Sequence, residues 1–584
     1  MNNSMIRLPY RKLLPLALII HSLAFCWLQA NSLPGQKTGL STYAIQPQRI
    51  VWMSPEGVEH PDTLLKANAG QSTIKHIHPP FVLSPGENSG SIILDFGTQI
   101  SGYLEIFTPG FKKSDGPRKL RVRFGESVAE TSAELGERGA QNDHALRDQI
   151  LKLPWFGKRM IGPSGFRFVR LDAIEGGPSV PMLEVRAMLQ IRDVPYLGSF
   201  ECPDERLNKI WQTGAWTVHL NMQDYLWDGI KRDRLVWLGD MHPEVSVISA
   251  VFGHNEVVPK SLDLMKTTTR PTQWINNISS YSMWWVIIHH DWYQLYGDLD
   301  YLKEQKDYLQ KLLPHLAKHI DENGSEALRD GIRFLDWPTK ANEKAVHEGL
   351  QALMVMTMDK GARLMDLLDD PATAELCRTA ESKLRQHVPE VSGRKSPAAL
   401  NLLAGLRKAD AVAAELMAGG PKDLSTFYGY YVLCALGEAG ETNAALDMIS
   451  QYWGGMLDLG ATTFWEDFDL EWTKNAARID EPVPEGKDDI HGDYGAYCYK
   501  GFRHSFCHGW AGGPTAFLSH HVLGIQPAAP GFAKVRIQPN LGRLDWAEGS
   551  YPTPKGLIKV RHERQADGSI KSTIQTPPGV QQVD

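Results

Sequence analysis

Six cysteines in 584 residues, at positions 26, 202, 377, 434, 498 and 507, are too few and too widely spaced for a disulfide framework. No pair has the C-x-x-C spacing of a zinc site. Cys498 and Cys507 are close enough to bridge across a loop, although two free buried thiols are expected. Long lysine or arginine tracts are missing as well. A formal charge of −7 from 61 basic and 68 acidic residues leaves no basic footprint for nucleic acid. Low hydrophobicity is also absent: 42% hydrophobic and 22% charged residues describe a globular chain rather than a disordered one. Its length exceeds what one core usually organises, so two to four domains are expected.

The apolar run near the membrane-spanning length lies at the start. Arg7, Arg11 and Lys12 precede "LLPLALIIHSLAFCWLQA", which reads as a secretory leader over residues 1–30 and implies export to the periplasm or beyond. An uncleaved anchor is the alternative. Phe25 just before Cys26 argues against lipid attachment there. Removing a leader with three cations and no acid takes the formal charge from −7 to −10. The mature chain is expected to have no membrane-spanning segment.

From about residue 45 to 195 the apolar period is two. In "KLRVRFGES" Leu120, Val122 and Phe124 alternate with Arg121 and Arg123, and "SGYLEIFTPG" and "FRFVRLDAI" are similarly rich in strand formers. This predicts an N-terminal β-sandwich, with the polar stretch "GESVAETSAELGERGAQNDHALRDQ" as a long loop. At residue 203 the period changes. Leu207, Ile210, Trp211, Gly214, Val218 and Met222 share one helical face, with Pro203 expected in the first turn beside Asp204 and Glu205. Helical segments recur to about residue 525, without a convincing strand between them, and a toroid of paired helices over residues 200–525 fits them best. Beyond it, "AKVRIQP", "GLIKVRHE" and "SIKSTIQ", the last two joined at Asp567–Gly568, predict a small β-domain over residues 526–584.

Three clusters carry candidate chemistry. "WDGIKRDRLVWLGDMHPE", residues 227–244, gathers Asp228, Asp233, Asp240 and Glu244 with Arg232, Arg234, Trp227 and Trp237. "LGATTFWEDFDLEW", residues 459–472, centres on Trp465 and Glu466. Residues 488–517 bring Asp488, Asp489, His491, Asp493, His504, His508 and Trp510. Carboxylates, guanidinium groups and indoles together suit gripping a sugar and cleaving its acetal bond. A solvated, ion-paired loop with core tryptophans is the plain alternative. No histidine pair has the helical spacing of a zinc protease, so neither metal nor cofactor is expected.

These motifs resemble glycoside hydrolase family 78, the inverting α-L-rhamnosidases. The family pattern of an Asp, a few residues, then Arg-acid-Arg-Leu-x-Trp-x-Gly-Asp is matched by "DGIKRDRLVWLGD" from Asp228 to Asp240. The likeness extends to "LDFGTQISGYLEI", "RVRFGES", "GATTFWE", "HSFCHGWAGGPTAFL" and "GIQPAAPGFAKVRIQP", in order over most of the mature chain. The resemblance implies an all-α (α/α)6 barrel flanked by N-terminal and C-terminal β-sandwich domains. It implies Asp233 as general acid and Glu466 as general base, with Asp228, Arg232, Trp237, Asp240 and His508 shaping the sugar subsite and Trp292 and Trp337 walling it. The family usually has Glu where this chain has Asp233, one methylene shorter, and residues are inserted here between Glu466 and His508. The implied partner is an oligosaccharide or glycoside.

Inversion needs one carboxylic acid to protonate the departing oxygen and one carboxylate to activate water, about 6.5–9.5 Å apart. Arg232 and Arg234 favour a charged neighbour at 233. Asp228 and Asp240 are expected to oppose this by occupying the arginines, while indoles exclude water. Two other readings stay open: a polysaccharide lyase with His491, Tyr494 or His508 in the chemistry, and a sugar-binding protein without catalysis.

Overall fold

A computed structural model describes residues 39–86, 89–111 and 116–583; the expected leader and Cys26 lie outside them. Among the described residues one sheet has seven antiparallel strands: β1 (Leu40–Ile45), β2 (Arg49–Met53), β3 (Ser91–Thr108), β4 (Lys119–Gly125), β5 (Asp148–Lys152), β6 (Gly157–Ala173) and β7 (Glu184–Arg192). They are ordered β1-β7-β3-β6-β4-β5, with β2 also on β3. Val58–Glu59, Phe81–Leu83 and Val180–Met182 form a second, three-stranded sheet. Leu120, Val122 and Phe124 point into the core as their period requires. Arg123 is buried too, because its guanidinium reaches Asp172 at 2.8 Å. The polar stretch expected to be a loop contains a short helix, Val128–Ser132. Ser127 Oγ accepts the Glu130 N–H at 3.1 Å and the Glu130 carboxylate accepts the Glu126 N–H at 2.8 Å; the Ser127 cap supplies what the missing apolar period does not.

The helical region begins at α1 (Glu205–Asn221), capped by the Asp204 carboxylate on the Arg206 and Leu207 N–H groups; Pro203 stands before the cap, outside the first turn. There follow α2 (Leu238–Val251), α3 (Val257–Thr268), α4 (Ser279–Tyr296), α5 (Lys306–Ala317), α6 (Glu343–Leu367) and α7 (Pro371–Leu384), with further short helices to Phe517. Side-chain pattern decides their depth. Helix α4 is buried for most of its length, its polar Ser282 and His289 included. Helix α7 buries only Ala374, Cys377, Ala380 and Leu384, one stripe laid outside α6. One two-residue parallel pair, Ala476–Ala477 with Asp488–Asp489, interrupts the helices. Among the described residues no helix is long and apolar enough to cross a membrane.

Strands β8 (Ser199–Glu201), β9 (Trp546–Thr553), β10 (Gly556–Arg564) and β11 (Ile570–Gln575) form one C-terminal sheet in that order. The linker before the helices thus supplies an edge strand to the end of the chain. All five cysteines after position 26 are free; Cys507 is buried, whereas Cys498 is exposed, contrary to the buried pair expected.

The N-terminal sheets also pack onto the helical region. Ile230, Leu220 and Cys507 belong to the core of the strands, and a Cβ at Gly165 would stand 2.6 Å from the Ile230 backbone. Replacing Ile230 by Ala should cost about 2–5 kcal/mol, the range for an unfilled core cavity, read as a lower urea midpoint. An unchanged midpoint would mean that the contact does not hold the two regions together.

Candidate active site

The segment between α1 and α2 is closed on itself by one carboxylate. Asp228 accepts the Asp233 N–H at 2.8 Å and the Leu235 N–H at 3.0 Å, and its own N–H donates to the Leu235 carbonyl at 3.0 Å. A short polar side chain satisfying nearby amides is the usual way to hold such a turn. Glycine is required at 229: a Cβ there would stand 2.3 Å from the Arg232 carbonyl and 3.2 Å from His508 Nδ1. The close approach lets residue 229 pair with His508 while the Gly509 N–H reaches the Asp228 carbonyl at 2.7 Å.

Arg232 is the centre of the constellation. Its Nη1 donates to Asp233 Oδ1 at 2.9 Å and its Nη2 to Glu466 Oε2 at 2.5 Å. Nε holds the Arg503 carbonyl at 2.8 Å, and the group lies 4.8 Å over the Tyr499 ring. The expected pairing of the arginines with Asp228 and Asp240 is not what forms. Asp228 spends its oxygens on backbone amides, and Arg234 lies over the Trp227 ring at 4.6 Å. Asp240 takes the Tyr281 hydroxyl at 2.9 Å and faces His508 Nε2 at 3.3 Å. A guanidinium fork can serve two carboxylates at once, which neither aspartate offers from its own position.

Glu466 is fixed through its main chain. Its N–H donates to the Ser505 carbonyl at 2.9 Å, and its carbonyl accepts Thr426 Oγ1 at 2.6 Å and Trp510 Nε1 at 3.0 Å. The Ser505 N–H adds a bond to Oε2 at 3.2 Å, and His508 Nδ1 stands 3.7 Å from Oε1. The two bridged acids differ in depth: the Glu466 side chain is 2% exposed and that of Asp233 19%.

Burial decides the protonation of the inner groups. It pushes the Glu466 carboxyl up to about 8, against the opposing charge of Arg232 and with help from Asp228. Burial likewise takes Asp228 up to about 6, while its backbone bonds resist. Asp240 is held well above the usual carboxylate range by burial and then by the charge of Asp228. Burial, and after it the Arg232 charge, holds His508 well below the usual imidazole range, so that ring stays neutral.

Contacts therefore join Asp228, Arg232, Asp233, Asp240, Glu466 and His508. Trp237 precedes α2 and meets the Tyr281 ring edge at 6.2 Å. Trp337 reaches the group through Tyr499, 5.3 Å away, and stacks on Tyr497 at 5.7 Å. Trp292 is elsewhere. It lies eleven residues along α4 from Tyr281, roughly 16 Å at the helical rise, buried against His254 and Tyr296 at 5.1 and 4.2 Å. Trp465 is also core, stacked on Phe506 at 4.0 Å. His491 is bonded to Ser127 Oγ at 2.8 Å, and Tyr494 donates to Asp488 at 2.7 Å. Sequence reasoning missed Tyr281, Tyr499 and the Ser505 amide, and it passed over Lys231 inside a quoted motif. Their roles arise from contacts between distant segments, and no spacing signals them. Among the described residues one buried group, Glu126, Glu130 and His491, is close enough to hold an ion. The Lys231 ammonium stands among them at 3.0, 3.4 and 3.5 Å and supplies the positive charge itself.

Comparison with known proteins gives a consistent result. Residues 195–389 match the family model described as the bacterial alpha-L-rhamnosidase 6 hairpin glycosidase domain, and residues 524–583 match the bacterial alpha-L-rhamnosidase C-terminal domain. An alpha-L-rhamnosidase of Streptomyces avermitilis is 24% identical over 536 residues, covering 84% of this chain and 48% of that protein. Another from Alteromonas sp. strain LOR is 24% identical over 533 residues, 82% of this chain and 54% of that one. The chain thus spans about half the length of these curated relatives. The solved GH78 family rhamnosidase of Bacillus sp. GL1 superposes with a TM-score of 0.70 at 21% identity, covering 87% of this chain and 54% of that one. The rhamnosidase of Klebsiella oxytoca with rhamnose bound superposes at 0.64 with 19% identity, covering 83% and 98%. These superpositions show a shared fold: a helical region between sheet-rich ends.

Arg232 opposes the burial of Glu466, so Arg232→Met should raise the pH at which Glu466 loses its proton above the present value of about 8. Infrared titration of the carboxyl band, assigned with Glu466→Gln, checks this; a titration at equal or lower pH would contradict it.

Proposed function

Residues 195–389 and 524–583 belong to the bacterial α-L-rhamnosidase family, and from that premise we propose that the protein is an exo-acting glycoside hydrolase. It removes terminal α-L-rhamnose, or a related 6-deoxy sugar, with inversion. The observation that carries the reading is the Arg232 guanidinium, bonded to Asp233 on one side and Glu466 on the other. That pairing supports two carboxyl groups held apart around a reacting bond rather than in mutual contact. Asp233, the more exposed, donates its proton to the departing oxygen. Glu466, the deeper, takes a proton from the attacking water. Asp228, Arg232, Trp237, Asp240, Trp337 and His508 form the sugar subsite. The same reading makes the helical region an (α/α)6 barrel over about residues 200–525, set between a β-sandwich over about residues 45–195 and a C-terminal one over about residues 526–584. Export through the leader would bring it to glycosides outside the cytoplasm.

Asp233→Asn should slow substrates with poor leaving groups by on the order of 10²-fold or more, and activated aryl glycosides much less, because a good leaving group needs little protonation. Glu466→Gln should slow both alike. Near-full activity of Asp233→Asn on a natural glycoside would move the acid role elsewhere. Nuclear magnetic resonance of the first product anomer tests inversion independently.

The role of Glu466 also fixes the sign of a pH effect. A base acts only when ionised, and burial lifts this carboxyl to about 8, so at lower pH most molecules carry an inactive, protonated Glu466. The kcat/KM for an activated aryl rhamnoside, which reports the free enzyme, should rise as pH increases through that value. A fall over the same range would exchange the acid and base assignments.

A further inference from the structure

A loop of the N-terminal sheet region reaches the outer carboxylate of the site. Residues 141–147 are folded by Asn142, whose Oδ1 accepts the Arg147 and Asp148 N–H groups at 2.8 and 3.0 Å and whose Nδ2 donates to the Asp148 carbonyl at 3.0 Å. The loop is fastened to the helical region by Arg503, which is paired with Asp143 and donates to Gln141 Oε1 at 2.9 Å. The carbonyl of that same Arg503 holds Arg232. The loop and the guanidinium therefore share one anchor.

His144 is the residue this anchoring delivers. Its Nδ1 stands 3.2 Å from the Asp233 main-chain carbonyl, and its Nε2 is 3.4 Å from Asp233 Oδ1 and 3.5 Å from Asp143 Oδ2. Solvent reaches 28% of the side chain. A carbonyl oxygen can only accept, so Nδ1 carries a hydrogen. Nε2 then faces two carboxylate oxygens, and a proton must lie either on Nε2 or on a facing carboxyl for the approach to be favourable. The charged groups around the ring are Asp143 on its own loop, Asp233 and Arg232 on the site loop, and Arg503 on the third segment.

We propose that His144 is the proton-relay partner of Asp233: it positions the outer carboxyl and returns to it the proton spent in each turnover. The inference rests on the acid role given to Asp233 above. Asp233 passes its proton to the glycosidic oxygen as the C–O bond breaks, and the leaving group departs as a neutral alcohol. Glu466 meanwhile takes a proton from the water that adds to the anomeric carbon. The Nε2 proton of the His144 imidazolium then moves to Asp233 Oδ1. Solvent reprotonates the imidazole, Glu466 releases its proton to solvent, and the site is restored.

The test uses the full chain as wild type, His144→Gln and His144→Ala, with methyl α-L-rhamnoside as the poor leaving group and 4-nitrophenyl α-L-rhamnoside as the activated one. Both variants should lose about tenfold or more in kcat on the methyl glycoside, while the nitrophenyl glycoside stays within about twofold in kcat and KM, which also shows that they are folded. Added imidazole should restore the His144→Ala rate on the methyl glycoside. Wild-type rates on both substrates, or an equal loss on both without imidazole rescue, would overturn the relay while leaving the proposed activity standing. A wild-type protein inactive on both rhamnosides would overturn the activity and the relay with it.

Discussion

One guanidinium holds the centre of this molecule together. Arg232 is bonded to two carboxyl groups from segments more than two hundred residues apart and to the carbonyl of Arg503, with an aromatic ring beneath it. Three further acids, Asp228, Asp240 and Glu244, are buried nearby, and burial raises each of them. A single cation cannot compensate so many buried negative charges. Protons make up the difference, because burial favours the neutral form of these carboxyls.

That arginine is placed by the residues before it. Ile230 inserts into the core of the N-terminal strands. Lys231 donates to the Phe502 and His504 carbonyls at 3.0 and 2.7 Å and meets Glu126 and Glu130. Arg232 turns the other way, into the site. Three consecutive side chains thus bind a sheet, a buried polar cluster and the carboxyl groups of Asp233 and Glu466. The helical region accordingly does not build the site alone. The Phe506 N–H, one residue from the Ser505 amide on Glu466, is held by the Glu126 carboxylate at 2.7 Å. The sheet region therefore sets the geometry of both acids through a backbone segment that it grips directly.

Much of this organisation is legible in single residues. The change of period at residue 203 follows from local rules about helices, and Leu120, Val122 and Phe124 mark the inward face of a strand in the same way. The run from Asp228 to Asp240 is marked in the sequence by its mixture of carboxylates, guanidinium groups and indoles and by its family resemblance. The misreadings share a cause. The resemblance places Trp292 with the site, yet its helix carries it away from Tyr281. Sequence proximity pairs the arginines with Asp228 and Asp240, whereas Arg232 reaches Glu466 across the fold.

Hydrophobic period and capping act over a few residues, so most strands and helices are legible in the sequence, whereas the short Val128–Ser132 helix, which lacks an apolar period, is not. Tertiary structure alone decided which acid meets which arginine, that Lys231 sits among Glu126, Glu130 and His491, and that a histidine from the N-terminal sheet region stands beside Asp233. Those pairings depend on the distance between side chains brought in from separate segments, and on burial that raises or lowers a proton's affinity only once the whole chain has closed around it.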